Sequence, residues 1–191
     1  MFLARRPSSQ DIAGFLRASA ALPLSYEPVG LAQGNAAGFH VDEQSAIVGS
    51  GDAAFERALH ALTAWRHFQL GWVELHPPSA AIEPGTIVAV LVNHAGFWSL
   101  NGCRVVYTIG ARGDCDECGF AYGTLANHAE CGEEIFTVSL DRQSGAVTYT
   151  IRAASRPRAP LARIGYPITR LLQRRFRIDS ARALRHAVAV D

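Results

Sequence analysis

The segment Ala146-Val147-Thr148-Tyr149-Thr150-Ile151-Arg152-Ala153, closed by Ser155-Arg156-Pro157, decides the fold. Val147, Tyr149, Ile151 and Ala153 fall on one face of an extended chain, and Thr148, Thr150 and Arg152 on the other. Beyond the Arg-Pro pair the period lengthens from two to that of a helix, through Leu161, Ile164, Ile168, Leu171, Leu172 and Phe176 to Ala183 and Leu184. Pro167 is expected to kink or interrupt this helix. A strand with one apolar face running directly into a long amphipathic helix places the helix on that face.

Upstream, period-two patterning continues. Candidate strands are Trp72–Leu75, Thr86–Asn93, Phe97–Leu100, Arg104–Ile109, Gly119–Gly123 and Ile135–Leu140, with a weaker one over Val41–Val48. Asp141 to Gly145 reads as a hairpin connection. Phe55, Ala58, Leu59, Leu62 and Trp65 mark an amphipathic helix expected to end near Gly71. An N-terminal helix over about 9–21 follows a cap at Ser8 or Ser9, and Pro23 ends it. Tyr26 to Gly30 reads as a short extended piece, and the glycine- and alanine-rich Ala32–Gly38 as a surface loop. The pattern predicts one α+β domain over 1–191. Its architecture is a helix-grip: a curved antiparallel sheet of about six to seven strands wrapped around a long C-terminal helix. Such curvature leaves a cavity between sheet and helix.

Composition narrows the function. Of 191 residues 49% are hydrophobic and 18% charged, below the ~25% usual for soluble domains. The formal net charge is +1, which argues against a basic nucleic-acid binder. All 18 basic residues are arginine, so Schiff-base and P-loop chemistry through lysine are excluded. Neither a signal-peptide core nor a run of ~18 apolar residues is present, and a cytoplasmic location is expected. In that compartment Cys103, Cys115, Cys118 and Cys131 read as thiols or metal ligands before disulfides. From Arg152 to Arg185 ten arginines face one acid, Asp179. This face reads as a solvated helix surface paired with upstream acids, or alternatively as an interaction module presenting Arg174 and Arg175.

Three stretches carry a family resemblance. They are Phe55-Glu56-x-Ala58 with Trp65-Arg66 and Gly71-Trp72; Phe120-Ala121-Tyr122-Gly123-Thr124-Leu125 with His128 and Gly132-Glu133-Glu134-x-Phe136; and Ser155-Arg156-Pro157 with Gly165-Tyr166-Pro167 and Gln173-x-x-Phe176. Over about residues 24–186 the chain resembles the uncharacterised family called domain of unknown function 1990. Its terminal strand, Arg-Pro pair and Leu/Arg-rich helix are more loosely similar to the Bet v 1 and START-like helix-grip superfamily. The first resemblance implies no established activity, and the second implies the fold. The cysteines around Asp114-Cys115-Asp116-Glu117-Cys118 depart from the family pattern.

Cys115-x-x-Cys118, nine residues, then His128-x-x-Cys131 supplies four ligands of the kind zinc takes tetrahedrally, a possible structural site. A zinc-deaminase reading fails on order, because H-x-E must precede P-C-x-x-C. Tyr122, His128 and a glutamate form a second set suited to proton transfer. Alternation with Phe136 and Val138 turns Glu134 inward, and a shifted register would turn Glu133 inward instead. A glutamate ion-paired with Arg104 or Arg156 is the structural alternative. Trp98 is the aromatic expected to line the pocket, the rest of Trp65, Phe68, Trp72 and Phe97 being mostly core. His40, His60, His67, His76, His94 and His186 read as surface or satisfied histidines. The expected ligand-binding residues are therefore Trp98, Arg104, Tyr122, His128, Glu134 and Arg156, and the expected partner is a small hydrophobic molecule. An enzyme acting as lyase, cyclase or hydrolase through Tyr122, His128 and a glutamate is the alternative on the same scaffold.

Overall fold

The structure, a computed structural model, describes residues 1–34, 36–110, 116–157 and 166–190, without the side chains of 166–168 and 190. Among these residues are eight strands: β1 (Phe2–Leu3), β2 (His40–Ser50), β3 (Val73–His76), β4 (Ile87–His94), β5 (Phe97–Ile109), β6 (Glu117–Thr124), β7 (Glu130–Leu140) and β8 (Ala146–Pro157). Three α-helices accompany them: α1 (Ser9–Ser19), α2 (Asp52–Thr63) and α3 (Tyr166–Val190). The antiparallel sheet runs β2-β8-β7-β6-β5-β4-β3, with β1 added on β5. The chain thus leaves one edge at β2, crosses the concave face through α2, and re-enters at the opposite edge as β3.

Alternation builds the inner face. Phe120 and Tyr122 of β6, Phe136 and Val138 of β7, and Val147, Tyr149 and Ile151 of β8 share a core with Phe55, Leu59 and Leu62 of α2 and Leu184 and Val188 of α3. Register shifts between Ile47 and Gly49, and between Val105 and Tyr107, are bulges of the kind that bend a sheet. The C-terminal half of α3 is locked down by Tyr149 Oη and Ser180 Oγ at 2.9 Å, and by Arg57 Nε donating to the Val188 carbonyl at 2.9 Å.

The outer face is also covered. Ile12, Phe15 and Leu16 of α1 pack on Ala89, Leu91 and Leu100. Ser8, not Ser9, caps α1, in a capping box with Asp11. Tyr26, Leu31, Ala32 and Ala36 pack on Ala121, Cys131, Ile135 and Ala154. The region read as an extended piece and a surface loop is therefore irregular chain lying on the sheet, with Ala32 and Ala36 buried.

Three further expectations are corrected. Phe97–Leu100 and Arg104–Ile109 are one strand, because Asn101 and Gly102 continue the ladder opposite Val90 and Ala89. The second helix stops at Thr63, since Trp65 adopts φ 55 before a 3-10 turn over Arg66–Phe68. Pro167 falls in the first turn of α3, where its missing N–H costs no hydrogen bond.

Candidate functional site: a cavity under the C-terminal helix

The N-terminal half of α3 meets the sheet through long polar side chains, Arg170 on Asp42 and Gln173 on Glu130. Between them lies a cavity of about 470 Å³, within the range of small-molecule sites. Its apolar walls include Phe68, Trp72, Val90, Val92, Leu172 and Phe176. Trp72 also anchors α3: its Nε1 donates to Asp179 Oδ2 at 3.1 Å, and the Arg175 guanidinium lies 4.4 Å over its ring.

Tyr122, His128 and Glu134 all line this cavity. Tyr122 and Glu134 are directly opposed on β6 and β7, and Tyr122 Oη donates to Glu134 Oε2 at 2.7 Å. Burial raises the Glu134 carboxyl to about 7, against an opposing effect of the Tyr122 hydrogen bond, and raises the Tyr122 phenol well above its ordinary value. His128 Nδ1 accepts from the Glu130 backbone N–H at 2.9 Å. That bond places the ring proton of the neutral imidazole on Nε2, and burial holds its pKa down at about 4. Glu130 is raised as well, by burial, while Gln173 Nε2 donates to both of its oxygens at 2.8 and 3.0 Å.

Glu133, one residue earlier, points to the opposite face, as alternation requires. Its carboxylate accepts from Tyr26 Oη at 2.5 Å, Tyr107 Oη at 2.7 Å, and the backbone N–H groups of Gly30 and Ala32 at 2.9 and 3.1 Å. The expected arginine partner is replaced by two tyrosines and two amides. Gly123 belongs to the same arrangement, since a Cβ there would collide with the Tyr26 ring.

The other three expected ligand residues lie outside the cavity. Trp98 is on the outer face against α1, with the Arg6 guanidinium 5.3 Å from its ring. Arg104 points the same way, its Nη2 donating to the carbonyls of Ala20 and Leu22 at 3.3 and 2.7 Å. Arg156 is exposed and stacks over Phe39 at 4.5 Å. Read as one continuous strand with Cys103 and Val105 inward, β5 turns its even positions outward as far as the bulge after Val105, which includes Trp98 and Arg104.

In their place the inner face of β4 and β5 contributes His94, Ser99 and Asn101. His94 Nε2 and Ser99 Oγ are 2.8 Å apart, and Asn101 Nδ2 donates to Ser99 Oγ at 3.0 Å. Helix α3 contributes Gln173, Phe176 and Arg177, whose i, i+3, i+4 spacing carries the signal that they share one face.

The three described members of the expected zinc set, Cys118, His128 and Cys131, are not brought together. Cys115 lies outside the described residues. Cys118 faces inward opposite Val138, whereas Cys131 faces outward seven residues further along β7, about 23 Å away at the usual strand rise. Cys118 is disulfide-bonded, which departs from its reading as a thiol; Cys103 and Cys131 are free. Among the described residues no group of three or more His, Cys, Asp or Glu side chains is placed to hold a metal ion.

His67 also departs from expectation. It is wholly buried, stacked on Trp65 at 5.7 Å, and neither ring nitrogen has a protein partner. The arginines of α3 largely bond within the chain: Arg170 with Asp42, Arg175 and Arg182 with Asp179, and Arg185 with the Ile47 carbonyl. Among the described residues no helix is long and apolar enough to cross a membrane.

A curved antiparallel sheet gripping a C-terminal helix over an internal cavity defines a helix-grip protein. The chain belongs to the family described as domain of unknown function (DUF1990), whose model matches residues 25–183. It is 32% identical over 209 residues to a UPF0548 protein of Dictyostelium discoideum, covering 98% of this chain and 96% of that one. It is 33% identical over 156 residues to a UPF0548 protein of Arabidopsis thaliana, covering 80% of this chain and 75% of that one. Among solved structures, the hypothetical protein jhp0584 of Helicobacter pylori shares the fold. It has a TM-score of 0.52 at 11% identity, over 85% of this chain and 92% of that one.

Proposed function

We propose that the protein binds a small, largely apolar molecule between the sheet and α3. The observation that carries this reading is the cavity itself: largely apolar walls, with Tyr122, His128 and Glu134 among the polar side chains that line it. Such a lining orients a ligand, since the apolar body is driven onto the walls and its polar group is fixed by the side chains it can bond. The uncharged fluorophore phenylnaphthylamine tests it. Its emission is expected to rise on binding, to be lost in Val90→Trp, which fills the cavity from β4, and to persist in Trp98→Ala on the outer face. Equal binding by all three folded proteins would place the probe elsewhere and overturn the reading.

A second reading is supported by the Tyr122–Glu134 pair. A carboxyl poised near neutral pH beside a ligand-accessible phenol is suited to general acid–base catalysis. In that case Glu134→Gln abolishes turnover of a bound substrate while leaving its affinity in place.

A further inference from the structure

We infer that the molecule held in this cavity is an amine, its ammonium group seated on the Glu134 carboxylate. The inference rests on the cavity being a binding site and names the chemistry of the head group.

Glu134 faces the cavity with one hydrogen-bond donor, Tyr122 Oη on Oε2. Its neighbour Glu133 has four. A partly buried carboxylate with one neutral donor lacks most of the hydrogen bonds and all of the ion pairing that normally offset its desolvation. The surrounding charges do not supply the balance. Arg177 lies in the cavity wall, but its Nη1 is 3.5 Å from Asp42 Oδ2, and Asp42 is also paired with Arg170. Glu130 also lines the cavity, bonded by the neutral Gln173 amide. His128, held neutral by burial, adds no charge. Among the described residues, three carboxylates, Asp42, Glu130 and Glu134, therefore face two guanidiniums, Arg170 and Arg177.

The cavity wall thus holds an under-bonded carboxylate beside an excess of negative charge among the described residues. An ammonium supplies the missing positive charge and several donors at once, with charge-assisted hydrogen bonds to Glu134. An anionic head would gain Arg177 but must approach three carboxylates.

The test uses three probes with one ring system: naphthylethylamine, naphthylethanol and naphthylpropanoate, titrated calorimetrically at pH 7.5 against the wild-type chain and Glu134→Gln. The amine is expected to bind about tenfold or more tighter than the alcohol, and the propanoate weakest. Glu134→Gln is expected to bring the amine down to the affinity that the alcohol shows for the same variant. Propanoate binding as tightly as the amine, or an amine preference that survives Glu134→Gln, would overturn this inference while the cavity reading stands. Failure of all three to bind would overturn both.

Discussion

Glu134→Gln is expected to stabilise the unliganded protein at high pH and to do nothing comparable at low pH. The carboxyl is raised in the folded chain from its ordinary 4.5 to about 7 by burial. Between those values the folded state binds more protons than the unfolded one, so stability falls as pH rises through the window. At about 1.4 kcal/mol per pH unit, the loss reaches about 3 kcal/mol above pH 7. Below pH 4.5 both states carry the neutral acid and the loss vanishes. Glutamine keeps an acceptor for Tyr122 Oη and cannot ionise. Urea unfolding of both proteins at several pH values between 4 and 8.5 measures the difference. The advantage of the variant is expected to grow by about 3 kcal/mol across the window, or roughly 6–12 °C in thermal midpoint for a chain of this size. Contributions from His67 and His128 are present in both proteins and cancel. Parallel stability curves would show that Glu134 ionises normally. A variant less stable at pH 8.5 would show a carboxylate already well paired, and the amine inference would lose its foundation.

Two other predictions concern residues away from the ligand. His67 is held down at about 3 by burial, so stability is lost as pH falls below 6.5, where the unfolded imidazole takes up a proton that the folded one refuses. His67→Phe is expected to gain about 3 kcal/mol on the wild type between pH 8 and pH 4.5; a pH-independent difference would mean that the imidazole is partnered. Glu133→Ala leaves Tyr26, Tyr107 and two backbone amides without their acceptor, and is expected to cost about 3 kcal/mol or more. It is also expected to admit proteases to residues 24–34 while phenylnaphthylamine still binds. Unchanged resistance to cleavage would show that the tyrosines do not hold that segment.

What was legible in the sequence was what depends on local alternation. Phe136 and Val138 place Glu134 inward, and Val147, Tyr149 and Ile151 define the inner face of β8, because strand side chains obey a period of two whatever lies around them. What was not legible depends on breaks in that period or on distant chain. The bulge after Val105 turns Tyr107 to the outer face, where it reaches Glu133; uninterrupted counting would have placed it inside. Tyr26 meets Glu133 across 107 positions of sequence. Trp98 and Arg104 face outward because Asn101-Gly102 continues the strand, and the alternation set by Cys103 runs unbroken from Trp98 to Arg104. The spacing Cys115-x-x-Cys118 and His128-x-x-Cys131 suggested convergence, but β6 and β7 carry Cys118 and Cys131 to opposite faces.

The adjacent pair Glu133-Glu134 shows how one strand can combine architecture with chemistry. Both carboxylates leave water on folding, and their surroundings treat them differently. Glu133 receives four donors and ties irregular chain to the outside of the sheet. Glu134 receives one and faces a cavity with its pKa raised to about 7. Were Glu134 only structural, Gln would serve the Tyr122 hydrogen bond without the cost of burying a charge. On the amine inference, a group that weakens the folded state and opens onto a cavity is explained by what it binds there, since a cationic ligand offsets the cost of the buried charge on entering. The expected stabilisation of the empty protein by Glu134→Gln and its expected loss of amine affinity therefore share one cause, the unpaired carboxylate, and must occur together.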